Sequence, residues 1–303
     1  MGQPSMTNRV SPYAYPSLTW DSWVAEGFLA QELLFSGLAL MSKAQRPPAS
    51  IFESDVSTTK HNLTLGLILY TSAVERLAKM AIVLRDLVNG VEPKKARSLG
   101  HDLENLVPKA LGGQGEISGK SPVIERDLLV LLSAFAQSGR YEDLDFLSSP
   151  CDAMDYGQAF LNWWDIADRQ RPDPGAAAAL EQVFILKSFF EYLAYNVPEI
   201  DAEITLGPCI DQMSFPYDQQ NLILVSVCAR LAARLAEVIN EKTSHLRYTM
   251  RVQVPEMTEV ITQVAYLEHD PYYRFLLPHE DTQAPCEEAM SVMGWERSFD
   301  EEE

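Results

Sequence analysis

In the stretch LTLGLILYTSAVERLAKMAIVLRDLV, apolar residues recur at Leu63, Leu67, Tyr70, Val74, Leu77, Ala81, Leu84 and Val88. Steps of four and three alternate, so these side chains fall along one stripe of a helix, the pattern of a bundle seam. Asn89-Gly90 supplies a C-terminal cap, and Pro93 forbids continuation. The same spacing recurs at Ile124, Leu128, Leu131 and Phe135, at Val183, Leu186, Phe190, Leu193 and Val197, and at Leu224, Cys228, Leu231, Leu235 and Val238. Helix starts agree with these stripes. Asp173-Pro174 reads as an N-cap followed by proline at the first helical position, and Asp218 stands before the helix of the 220s. The segment from Trp20 to Met41 is helical in composition, with Asp21 in its first turn and an interior that is apolar nearly all round.

Alternation of the strand type is confined to YTMRVQV at 248–254, which follows directly on a long helix and has no second strand to pair with. The expected fold is therefore all-α, an antiparallel helical bundle. Prolines near Pro150 and between Arg171 and Gly175 punctuate the helices into two groups. The expected organisation is a flexible segment over 1–16, a helical bundle over 17–150, a C-terminal helical region over 151–275 packing on the first, and an acidic tail over 276–303. Whether the two groups form one domain or two is left open by composition. GGQGEISGK at 112–120 reads as a loop, and SGKS within it lacks the spacing and preceding strand of a phosphate-binding loop.

Charge changes the picture more than composition does. With 47% apolar residues the 303-residue chain can bury a substantial core, but its formal charge is −19. A surface that acidic repels polyphosphate, which disfavours general coating of nucleic acid. The C-terminal stretch is dense in Asp and Glu against Arg297 alone, as in a solvated tail or one offered to a basic partner. Neither a secretory pattern nor an uninterrupted apolar run of membrane-spanning length is present, so the expected location is the cytoplasm with no membrane contact. The cysteines at 151, 209, 228 and 286 and the five histidines show no metal-ligand spacing, and neither a metal nor a cofactor is expected.

Candidate chemistry begins with a carboxylate among apolar neighbours. Ile68, Glu75 and Ile82 form a second column beside Thr71 and Ala78, which turns Glu75 toward a neighbouring helix rather than open water. A carboxylate so placed needs a partner. Lys79, one turn on, can satisfy it locally, while His101 or Arg140 could reach it from further along the chain. At GHDLENL, Asp102 suits the positive end of a helix, with His101 or Gly100 beside it as alternative caps. Lys94, Lys95 and Arg97 immediately before form the densest basic cluster of the chain, close to helix-terminal N–H groups that attract anions.

Taken in order, AVERLAK at 73–79, GHDLENL at 100–106 and SGRYEDL at 138–144 resemble the layout of HEPN domains, the helical nucleotide-binding family of higher eukaryotes and prokaryotes. The resemblance covers about residues 20–150 and implies a HEPN-like N-terminal half with additional C-terminal helices. It assigns Glu75, Lys79, Gly100, His101, Asp102, Arg140 and Tyr141 to a polar cluster. With Lys94, Lys95 and Arg97, that cluster is a candidate nucleotide or phosphate pocket. HEPN ribonucleases carry an Arg followed after four to six residues by His, and here Arg140 is followed by YEDLDFLSS without a histidine.

Three functions follow as expectations. The first is a HEPN-like binding or regulatory module without nuclease activity, in a defence or toxin–antitoxin setting, with a homodimer or protein partner and a nucleotide or RNA at the local basic patch. The second is a metal-independent ribonuclease using Arg97 and His101, or Arg140 with a distant base. The third is an acidic helical scaffold or inhibitor that engages a basic protein.

Overall fold

The computed structural model describes residues 17–46, 56–112, 122–137, 158–196, 217–252, 263–265 and 267. Among these, the regular elements are helical and none is a strand, as the periodicity predicts. The order is α1 (Ser17–Ser42), α2 (Val56–Val88), a 3-10 turn (Ala96–Leu99), α3 (Leu103–Ala110), α4 (Pro122–Gln137), α5 (Gln158–Asp168), α6 (Pro174–Asn196) and α7 (Gln219–Ser244). A π turn at His245–Thr249 extends α7, and Arg251 at a φ of 55° then turns the chain, so the alternating stretch at 248 begins inside a helical turn. The expectations for residues 1–16, the loop at 113–120, Arg140, Tyr141, Val197 and the tail at 276–303 lie outside the described residues, as do the side chains of Val183, Leu186, Phe190 and Leu193.

α2 is the central element, packed against α1, α3, α4 and α7. Its predicted stripe is the seam: Leu63, Leu67, Tyr70, Val74, Leu77, Ala81 and Leu84 are buried, with Val88 half-buried at the end. The helix stops as its sequence dictates. Gly90 adopts a φ of 67°, its N–H donates to the Leu87 carbonyl, and the Val91 N–H donates back to Asp86, a paired closure that satisfies two of the terminal carbonyls. On α4, Leu128, Leu131 and Phe135 are buried, and on α7 so are Leu224, Cys228, Leu231 and Leu235. These residues join one continuous hydrophobic core with α1, α2, α3 and α5.

Caps also form where the sequence places them. Asp218 Oδ1 accepts from the Asn221 N–H at 2.9 Å, and Asp173 Oδ1 from the Gly175 N–H at 2.8 Å. α1 begins three residues earlier than Trp20, at Ser17, so Asp21 lies beyond its first turn. The stretch Asp21–Ser42 is long and apolar enough to cross a membrane by length and composition. One side of it lies against α2 and α7, and Phe28 and Leu29 remain exposed on the helix.

Two long-range devices fix α1. Gly37 and Gly66 meet where α1 crosses α2, with the two backbones in van der Waals contact. At the C-terminal end, the fully buried Asn221 of α7 donates from Nδ2 to the carbonyls of Met41 at 2.8 Å, Ala44 at 3.1 Å and Ser42 at 3.3 Å. Its Oδ1 accepts from the indole N–H of Trp163 at 2.8 Å. Arg46, just beyond, pairs with Asp168 at 2.5 Å and lies 5.3 Å from the centre of the Trp164 ring, tying the end of α1 to α5. Deeper in the seam, the Tyr70 hydroxyl donates to the Cys228 carbonyl at 2.8 Å. Burial pushes both the phenol and the Cys228 thiol well above their ordinary ranges, so Cys228 is a neutral core residue, not a nucleophile.

Candidate functional site

A cleft of about 580 Å³ opens between the N-terminal part of α1, the middle of α2 and the 3-10 turn. Its position follows from how the chain re-enters the bundle after α2. The connection from Val91 to Lys95 is largely exposed, and the 3-10 turn starts with the Ser98 N–H and hydroxyl both donating to the Lys95 carbonyl. Gly100 then adopts a φ of 79°, a left-handed conformation that glycine enters without strain. That turn delivers His101 and Asp102 to the start of α3. Buried Leu103 and Val107 dock α3, and the Arg85 guanidinium of α2 donates to the Lys109 carbonyl at its far end.

With α3 so fixed, His101 reaches Glu75. Its Nδ1 lies 3.0 Å from each carboxylate oxygen, and Lys79 Nζ donates to Glu75 Oε1 at 2.7 Å. The local and the distant partners named from the sequence are thus both engaged. Glu75 and Lys79 keep only 13% and 11% of their side-chain exposure, whereas His101 keeps 63%. A carboxylate facing Nδ1 selects the tautomer with the proton on that nitrogen, which leaves Nε2 on an open side chain for a ligand or a proton. Burial by itself would raise the Glu75 pKa. The hydrogen bonds and positive charge of Lys79 and His101 outweigh it and hold the carboxyl below its ordinary range.

Asp102 has a different task. It caps α3, with Oδ1 accepting from the Asn105 N–H at 3.3 Å and from the Ser133 hydroxyl of α4 at 2.7 Å. The Ser133 bond is the main cause of its lowered pKa, with further help from Asn105. This carboxylate therefore occupies the Asn105 N–H, one of the groups that the sequence offers to an anion at the start of α3. Of the basic cluster, Arg97 lines the cleft, while Lys94 and Lys95 are exposed and are not among its lining residues. Arg140 and Tyr141 lie outside the described residues.

Several lining residues escape sequence reasoning. Trp23 and Glu26 come from α1, and Arg76, Met80 and Val83 from α2. Arg76 pairs with Glu26 across the two helices. A signal existed, since Glu26 is an acid within an apolar helix and Arg76 directly follows Glu75, but nothing local says that α1 and α2 present them to each other.

The depressed carboxyls give a pH dependence. A group whose folded pKa lies below its unfolded value contributes stability above the unfolded value and loses it as pH falls through the folded one. Thermal stability is expected to drop from about pH 4 downward, and Glu75→Gln should flatten part of that drop. The same substitution, by leaving the nearly buried Lys79 without its anion, should cost about 1–3 kcal/mol at pH 7. Melting curves of the two proteins from pH 7 to pH 3 check this; identical acid profiles would remove Glu75 from the account.

Compared with known proteins, the chain matches no family model, no curated protein and no solved structure.

Proposed function

We propose that this chain is a HEPN-like helical binding or regulatory module that takes a phosphate-bearing nucleotide ligand in the cleft between α1, α2 and the 3-10 turn. The observation that carries the reading is the contact of Glu75 with His101, because it joins the AVERLAK helix to the GHDLENL helix start at the wall of a cavity. The cavity is of a size that small ligands occupy. Its walls combine the apolar surface of Trp23, Met80 and Val83 with Arg97 and the open imidazole of His101. Such a mixture suits a heterocyclic ring and an anionic group together. Binding without nuclease chemistry is the preferred form, since Arg140 is not followed by a histidine at ribonuclease spacing.

A ribonuclease is the second reading, and the oriented imidazole favours it: a carboxylate on Nδ1 is an arrangement in which Nε2 can move a proton. One experiment addresses both. Calorimetric titration of the full chain with mononucleotides is expected to give saturable binding that weakens at least tenfold in Arg97→Ala, while labelled RNA stays intact. Absence of binding to every nucleotide would overturn the module. Cleavage abolished by His101→Ala would replace it with the enzyme.

A further inference from the structure

We infer that the cleft selects a flat aromatic ring carrying one compact anionic group, and discriminates against polyphosphates and RNA. The inference rests on the ligand-binding reading above and deepens it by naming the ligand class. Its basis is which cations at the site remain to meet an anion. Arg76 is held by Glu26, and Lys79 by Glu75, so two of the three permanent positive charges on the walls are already neutralised. Arg97 is the excess. His101 stands at the open side of the cleft with Nδ1 on Glu75.

A single phosphomonoester, which carries a charge of about −1.5 to −2 near neutrality, concentrates that charge on one compact group that Arg97 can meet. A triphosphate or an oligonucleotide brings further charge, and among the described lining residues no further unpaired permanent cation stands to meet it. Those extra phosphates would instead face a protein of formal charge −19. The cleft volume of about 580 Å³ accommodates a ring and one headgroup, and the apolar side formed by Trp23, Met80 and Val83 gives the ring a surface to lie on. The shared chemistry is therefore aryl or heteroaryl monophosphate. A nucleoside monophosphate and a simpler aryl phosphate are two sources of it.

The test is calorimetry on the full chain at one fixed salt concentration with AMP, GMP, phenyl phosphate, inorganic phosphate, ATP and a ten-nucleotide RNA. The expected order places AMP or GMP at least tenfold tighter than ATP and RNA. Phenyl phosphate weaker than AMP identifies a nucleoside as the source, and equal affinities identify an aryl phosphate site; either result supports the inference. Trp23→Leu should weaken AMP about tenfold while leaving inorganic phosphate unchanged, and Trp23→Phe, which keeps a ring, should restore most of the loss. ATP or RNA binding as tightly as AMP would overturn the charge-matching argument and leave the nucleotide module standing. Failure of every nucleotide would remove the module, and this inference with it.

Discussion

Asn221→Leu is expected to lower the free energy of unfolding by about 3–5 kcal/mol. The side chain is fully buried and its amide donates to carbonyls at the end of α1, where a helix leaves its last C=O groups without internal partners. Leucine fills a similar volume but removes the donor from those carbonyls and the acceptor from Trp163. Buried polar groups left without partners cost about 1–3 kcal/mol each, and relaxation keeps the total below a simple sum. Asn221→Asp should be at least as damaging, because it turns a carboxylate toward carbonyl oxygens in a dry site. Urea denaturation of wild type and both variants provides the measurement. A loss under about 1 kcal/mol for either would mean that the end of α1 does not depend on this amide. The cleft sits at the opposite end of α1, so molecules of the variant that remain folded should retain ligand affinity.

The second large effect is expected at the crossing of α1 and α2. A β-carbon at Gly37 would stand 2.8 Å from the Tyr70 backbone nitrogen and 3.0 Å from the Gly66 carbonyl oxygen. One at Gly66 would stand 2.9 Å from the Met41 nitrogen and 2.6 Å from the Met41 side chain. Met41 can move its thioether; backbone atoms on two packed helices cannot yield without separating the helices. Alanine in a helix interior is ordinarily better than glycine by up to about 1 kcal/mol, so the sign of the result is informative. We expect Gly37→Ala to destabilise by about 1–3 kcal/mol net, Gly66→Ala by less, and Gly37→Val by more than either. Because the same crossing sets how Glu26 meets Arg76, Gly37→Ala should also weaken ligand binding in the cleft. Stabilisation of the protein by Gly37→Ala would show that the helices are not in backbone contact.

The fold was legible where one turn of helix decides the matter. The α2 stripe, the closure at Gly90, and the caps at Asp173 and Asp218 each depend on residues within five positions of one another, so spacing alone reveals them. The start of α1 was misplaced by one turn because an acid at Asp21 resembles a first-turn residue, whereas the helix runs back to Ser17. At the site, Glu75 stands out as a carboxylate in an apolar column, with Lys79 as its local partner and His101 or Arg140 as its distant one. The Ser133 contact does not, since Asp102 can be read as a cap without revealing that a hydroxyl on α4 also holds it.

By itself the sequence determined which faces of each helix are apolar, where the helices end, and that Glu75 must be neutralised. Tertiary structure alone decided that α1 lies on α2 at Gly37 and Gly66, that an amide on α7 closes the end of α1 from 180 residues away, and that Trp23 and Arg97 share a cleft. The division has a simple cause. Helical periodicity is written in neighbouring residues, whereas the choice of which apolar face meets which depends on shape and on a few buried polar contacts that are satisfied only once the helices have come together.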